Sequence, residues 1–397
     1  MNKILKSFIF VLCISSIFIL SNSKVNAQEK ISLNVFNWGE YIDMSVIKDF
    51  EALYPNIDVI YETYDSNESM YTKLTTGDAN YDVIIPSDYM LEKLIKEEWL
   101  LQLDYGKIPN RQYVRDDLLE KLEAEFSNDT RDSIAINDYA VPYFWGTVGI
   151  LYDTDKVKKT VDSWEILWDE DYKKQIYMYD SQRDSLMVAL KLLGYSMNST
   201  NREELEAAKD LLIEQKPLVY AYVTDTVIRG MIDGEAALAV VYSGDAAYIM
   251  DESKYNLDFV IPKEGTNFWF DLMAIPKTSK NVDAAHKFIN FMCDPEIALK
   301  NTEEVMYSSP IELVFNDVIE EEWANNIAYN PTNIDAFGGE IQTEIFRDPG
   351  EFIKTYDEIW SEVLSDGNYI IPLIIGGVIL VGIGVYLVVF KKRKKRY

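Results

Sequence analysis

Apolar and polar positions follow two periods along the chain, and the two periods take turns. Leu33-Asn34-Val35-Phe36 reads as a short strand, and Val46, Ile47, Phe50, Leu53 and Tyr54 then fall on one face of a helix that Pro55 ends. Ile57-Asp58-Val59-Ile60-Tyr61 is the next strand, followed by a helix from about Glu68 to Thr76 that stops at Gly77. Tyr81-Asp82-Val83-Ile84-Ile85 has the continuous apolar character of a strand in a buried parallel sheet. It runs through Pro86-Ser87-Asp88 into a helix carrying Leu91, Leu94 and Ile95. Strand and helix in alternation predict a doubly wound α/β domain.

The pattern restarts after the aromatic stretch Ala140-Val141-Pro142-Tyr143-Phe144-Trp145-Gly146, which has the character of a crossing between domains. Ile176-Tyr177-Met178-Tyr179 is a strand ending at Asp180, with a helix from about Arg183 to Leu193 stopped by Gly194. Asn201 to Gln215 reads as a helix, with Asn201 and Glu204 in capping-box order. Ala237 to Tyr242 is a strand that Ser243-Gly244-Asp245 turns into the following segment. A chain of 397 residues, 48% hydrophobic, is long enough for two such domains.

Asn267-Phe268-Trp269-Phe270-Asp271 reads as a further strand. Side chains alternate along a strand, so Phe268 and Phe270 point one way while Trp269 and Asp271 share the other face. An indole beside a carboxylate suits a cation: a ring face attracts an ammonium by roughly 0.5 to 2 kcal/mol, and a charged hydrogen bond adds roughly 1.5 to 3. Four other strands end in turns that join acids or hydroxyls to aromatics, at Trp38 to Tyr41, Ser87 to Tyr89, Asp180 to Asp184, and Ser243 to Asp245 after Tyr242. Ligands of open parallel sheets bind at this carboxyl edge. Asp and Ser at such places also cap helices, but Trp38, Tyr41, Tyr89 and Tyr242 do nothing for a helix terminus.

The two ends add a location. Residues 1–27 have a basic start, an apolar run from Ser7 to Leu20 and a small residue at Ala27, as in a cleaved signal peptide. Near the other end, Ile370 to Phe390 is an uncharged run of 21 residues followed by Lys391 to Arg396. About 20 apolar residues cross a bilayer as a helix, and positive charge marks the cytoplasmic side. The expectation is a transmembrane helix over 369–390, a basic cytoplasmic tail at 391–397, and an extracellular or periplasmic portion anchored at the cell membrane. That portion carries a charge of about −37, a field that draws cations and disfavours nucleic acid.

Chemistry of other kinds is missing from the pattern. His286, the one histidine, sits on a helix pattern as a half-exposed residue, and Cys293 falls on an apolar helix face as a core residue. There is no P-loop, no dinucleotide fingerprint, no zinc-protease motif and no EF-hand loop. No cofactor or metal is expected, and nothing positive points to an enzyme. The residues alone leave open a binding protein for another solute, or a surface hydrolase.

Several segments together resemble the spermidine/putrescine-binding proteins that feed polyamine ABC importers. These are Phe36 to Ile42, Tyr81 to Ser87, Val141 to Gly146, Leu193 to Ser196, and Pro262-Lys263-Glu264-Gly265 leading into the Trp269 strand. The resemblance runs from about Ile31 to Leu364 and implies a two-lobed α/β fold of the periplasmic-binding-protein type, with a hinged ligand cleft. Residues 28–143 and 271–315 would form lobe 1, and 144–270 and 316–366 lobe 2. It implies amine contacts at Trp38, Glu40, Tyr41, Ser87, Tyr89, Asp184, Trp269, Asp271 and Tyr307. Asp180 stands one residue from a usual aspartate position, Tyr242 stands where a tryptophan is common, and Asp245 where putrescine-preferring members place a carboxylate. Gly39 replaces a hydroxyl residue, and a glutamine expected near residue 346 has no counterpart. The implied partners are a polyamine, spermidine or putrescine, and the permease and ATPase of an importer, served by a monomer.

Overall fold

The computed structural model describes residues 30–77, 80–127, 133–318 and 325–365. Its first part alternates as the periodicities predict: β1 (Ile31–Trp38), α1 (Met44–Leu53), β2 (Ile57–Tyr64), α2 (Asn67–Thr76), β3 (Val83–Ile84), α3 (Asp88–Lys96) and α4 (Asp116–Ser127). Then come β4 (Ala140–Asp153), β5 (Ile176–Tyr179), α5 (Gln182–Leu192), α6 (Arg202–Gln215), β6 (Val219–Val223), α7 (Thr226–Ile232), β7 (Leu238–Tyr242), α8 (Ser243–Glu252), β8 (Leu257–Val260) and β9 (Thr266–Ala274). The remainder is mostly helical, with α9 (Val282–Met292), α10 (Pro295–Val305), α11 (Glu312–Val318), the short β10 (Thr343–Glu344) and α12 (Ile353–Leu364).

The strands pair in the order β2-β1-β3-β9-β4-β7-β5-β6, with β10 beside β9 and β8 beside β4. At one end β1 is parallel to β2 and β3, and at the other β5 is parallel to β6 and β7. Between these parallel sets run β4 and β9, antiparallel to each other. Residues 140–147 of β4 pair with β9, and from Val148 onward β4 pairs with β7 and β8 instead. One uninterrupted strand therefore passes from one α/β lobe into the other, and the site lies along it. The sheet buries apolar side chains on both faces: Phe268 and Phe270 pack in one cluster with Trp145, while Trp269 joins the opposite one with Tyr41 and Tyr307.

Several expectations need correction. The two-lobed fold holds, but the C-terminal transmembrane helix added to it is not borne out: no helix among the described residues is long and apolar enough to cross a membrane. The apolar run at 370–390, the basic tail and the signal peptide at 1–27 lie outside the described residues. His286 is buried, at 3% exposure, because it docks on the Asp104 loop. The strand expected over 81–85 pairs only at Val83 and Ile84. Its Asp82 carboxylate instead accepts from the backbone N–H groups of Asn34, Lys280 and Asn281. Asn201 does cap α6, accepting from the Glu203 N–H, but the Glu204 carboxylate turns to Ser199 and the Asn201 side chain. Cys293 is buried, as its position on the apolar helix face predicts.

Candidate ligand-binding site

Asp271 lies on β9 where that strand faces the carboxyl end of β1 and the start of α3. Its Oδ2 accepts from the Tyr41 hydroxyl at 2.9 Å and its Oδ1 from the Ser87 hydroxyl at 2.7 Å. Ser87 occupies the N-cap position of α3, yet its side chain makes no cap bond. The hydroxyl that sequence alone would assign to the helix start is spent on Asp271. Burial raises the Asp271 carboxyl to about 6, against the lowering effect of these two hydroxyls.

Two further carboxylates are arranged in the same way. Asp184, in the first turn of α5, accepts from the Tyr242 hydroxyl at 3.0 Å on Oδ2, while its buried Oδ1 has no hydrogen-bond partner. Burial pushes its carboxyl up from the usual range. Asp245, in the first turn of α8, accepts from the Tyr307 hydroxyl at 2.7 Å, and burial raises it to about 7. Among the described residues no ion pair reaches Asp184, Asp245 or Asp271, and each is steadied by neutral hydroxyls.

Aromatic rings connect these acids. Trp269 stands edge-to-face against Tyr242 at 5.7 Å and Tyr307 at 5.4 Å, and Tyr307 meets Tyr41 at 5.4 Å. The indole Nε1 donates to the Thr147 carbonyl at 3.3 Å. Gly146 lies directly opposite Trp269 in the β4–β9 register, and a Cβ there would sit 2.8 Å from the indole, so the strand stays bare where the ring lies over it. Gly244 likewise leaves its space to the Tyr307 ring.

The structure thus brings Tyr41, Ser87, Asp184, Tyr242, Asp245, Trp269, Asp271 and Tyr307 into one connected group. Trp38 lies at its border, with Nε1 donating to the Ile85 carbonyl at 2.9 Å and its ring 4.7 Å from Tyr64. Tyr89 donates to Glu68 at 3.0 Å and turns its ring edge-on to Phe346. Glu40 and Asp180 are exposed and join none of these bonds. Glu40 sits at φ 47, in the left-handed region, in the turn after β1. Its charge, with that of Asp65, adds to burial in raising the Asp225 carboxyl on the far lobe.

Sequence reasoning missed four residues here. Tyr179 packs edge-to-face on Tyr242 at 5.0 Å, and Asp88 is fully buried, accepting from the Phe270 N–H at 3.0 Å. Asp225 opens α7 after β6, a strand whose signal, Val219, Ala221 and Val223 alternating with Tyr220 and Tyr222, was present in the sequence. Arg183 is buried beside Asp184, and nothing in its local sequence marks it out.

Residues 45–331 match the bacterial extracellular solute-binding protein family. The spermidine/putrescine-binding periplasmic protein of Escherichia coli K12 is 34% identical over 346 residues, covering 87% of this chain and 94% of that protein. The putrescine-binding periplasmic protein PotF of the same organism is 30% identical over 356 residues, covering 85% and 93%. The solved structure of the spermidine/putrescine ABC transporter substrate-binding protein PotD of Streptococcus pneumoniae is 36% identical, with a TM-score of 0.69 over 84% of this chain and 98% of that one. The curated relatives are periplasmic by name. That differs from the expected localisation, a receptor anchored at the cell membrane by a C-terminal helix, which no helix among the described residues bears out. The fold, the hydroxyl-held carboxylates and these relatives agree: the chain belongs to the bacterial extracellular solute-binding protein family, whose members bind solutes and are not enzymes.

Proposed function

We propose that this protein binds a polyamine, spermidine or putrescine, between its two lobes and delivers it to the permease and ATPase of an ABC importer, acting as a monomer. The observation that carries the reading is the set of three carboxylates, Asp184, Asp245 and Asp271, joined by aromatic rings and held by hydroxyls instead of cations. Polyamine nitrogens are amines with pKa values near 10 and stay charged at neutral pH. Burial penalises the ionised carboxylates, and an arriving ammonium removes that penalty, so the site is most complete with a multiply charged amine in it. The rings of Trp269, Tyr242, Tyr307 and Tyr41 supply apolar walls for methylene groups and faces for ammonium groups.

In this reading Trp38, Glu40, Tyr89 and Asp180 contact the ligand or its approach from the cleft edges. Lobe 1 comprises residues 28–143 and 271–315, and lobe 2 residues 144–270 and 316–366. The change of partners along β4 at Val148 supports a boundary in that region. Closure of the two lobes then commits the ligand. The test is a titration followed by tryptophan fluorescence and calorimetry. Spermidine or putrescine is expected to bind at micromolar or tighter affinity with an emission change, while sugars and thiamine give none. Absence of polyamine binding, or tighter binding of a sugar, overturns the reading.

A further inference from the structure

Arg183 is 5% exposed and immediately precedes Asp184, beside a cleft that we read as binding cations. Its two terminal nitrogens donate to the Arg347 carbonyl, each at 3.2 Å, and Nη2 also donates to Asn198 Oδ1 at 3.0 Å. All these acceptors are neutral, and Nε is buried with no hydrogen-bond partner. The guanidinium carbon lies 4.4 Å from the ring centre of Phe346, 5.1 Å from Tyr356 and 5.5 Å from Tyr89. These are the distances at which an aromatic face holds a cation. A buried positive charge therefore already occupies an aromatic pocket of the kind an ammonium would seek, with Tyr89 contributed by the opposite lobe.

We propose that Arg183 is a specificity residue: its resident charge ends the cleft on the Tyr89 and Phe346 flank and so limits how far a polyamine can extend in that direction. The other flank has the opposite character. Glu40 and Asp65 follow β1 and β2 in one lobe, Asp225 follows β6 in the other, and all three residues are exposed. The charges of Glu40 and Asp65 both act on the Asp225 carboxyl, so the two acids of one lobe lie within electrostatic reach of the third on the other. A further ammonium on a longer ligand finds carboxylates toward Asp225 and repulsion toward Arg183. The chain is thereby placed in one register, with its extra charge on the acidic side. A merely structural role for Arg183, holding the Arg347 carbonyl against α5, would not make affinity depend on ligand length.

This inference rests on the polyamine reading. Its test measures calorimetric affinities of putrescine, spermidine and spermine for the wild-type protein and for Arg183→Met, Arg183→Gln and Arg183→Lys. Removing the charge should raise the ratio of spermine to putrescine affinity at least tenfold in the Met variant, whose side chain keeps the stack. The Gln variant, which keeps a donor for the Arg347 carbonyl, should shift the ratio in the same direction and serves if Met does not fold. Lys should leave the wild-type ratio in place. A ratio within threefold of wild type in a folded neutral variant overturns the inference while leaving polyamine binding intact. Failure of the wild-type protein to bind any of the three amines overturns the functional reading, and this inference with it.

Discussion

The Tyr41 hydroxyl donates to Oδ2 of Asp271 at 2.9 Å, joining two residues 230 positions apart in the chain. Tyr41 is fixed from its other side too, because its carbonyl accepts from the Tyr143 hydroxyl at 2.6 Å, and Tyr143 in turn accepts from the Asn301 side chain at 2.9 Å. The carboxylate is thus aimed by groups from the end of β1, from β4 and from α10. Its orientation is set before any ligand arrives, which lowers the ordering cost of binding.

Replacing Asp271 with Asn should cost well over tenfold in spermidine affinity. A neutral amide keeps the volume and one acceptor for the Ser87 or Tyr41 hydroxyl, but it loses the charge that an ammonium needs. Calorimetry measures the affinity and thermal unfolding confirms the fold. An unchanged affinity removes Asp271 from the site.

Affinity should depend on pH in a window set by Asp271, raised to about 6, and Asp245, raised to about 7. Both folded values lie above the unfolded aspartate value of about 3.9, so the native protein holds protons that the unfolded chain releases. These two groups therefore make the empty protein less stable as pH rises through that interval. Ligand binding has the opposite sign, because ammonium groups favour the ionised carboxylates. Polyamine affinity should weaken by more than about tenfold between pH 8 and pH 5. Tyr307→Phe removes the hydroxyl that lowers Asp245, so the midpoint of the affinity profile should move to higher pH. A flat profile, or a midpoint unmoved by that substitution, counts against both assignments.

His286 should prove structural. Its Nε2 accepts from the Asp104 N–H at 3.0 Å while Nδ1 faces the Val282 carbonyl at 2.7 Å, an arrangement that a neutral ring with its proton on Nδ1 satisfies. His286→Ala leaves the Asp104 N–H without its acceptor and should destabilise the fold by about 1 to 3 kcal/mol. Urea unfolding would show that loss, and spermidine affinity should stay within twofold of wild type.

The parts of the fold that depend on local periodicity were legible in the sequence. The alternation from β1 to α3, and the two faces of the Trp269 strand, follow from apolar spacing. What depends on distant partners was not. Whether Ser87 caps α3 or serves a carboxylate is undecidable from its neighbours, and only the approach of Asp271, 184 residues away, settles it. His286 is buried because the Asp104 loop folds over it, and a helix pattern carries no trace of that contact. Arg183 takes its surroundings from residues 89, 346 and 356, so its local sequence offered only a basic residue in a helix start. The strand β6 is the exception, since its alternation of Val219, Ala221 and Val223 with Tyr220 and Tyr222 is itself a local signal.

Gly146 offers a test of how tightly the indole is placed. A methyl at that position would stand 2.5 Å from Ser243 Oγ and 2.8 Å from Trp269 Cζ2, closer than side chains tolerate. Ser243 Oγ accepts the Thr147 N–H at 3.1 Å, and the Thr147 carbonyl takes the indole N–H, so neither neighbour yields without disturbing a bond of β4. Gly146→Ala should therefore cost about 1 to 3 kcal/mol of stability, as overpacked cores do. The same displacement moves Trp269 out of line with Tyr242 and Tyr307, so spermidine affinity should fall and the emission change on binding should shrink. Gly39→Ala is the matched control, since nothing lies within 4 Å of a Cβ there, and stability should be unchanged. If Gly146→Ala instead binds spermidine with wild-type affinity, the position of the indole does not govern recognition, and Trp269 belongs to the core alone.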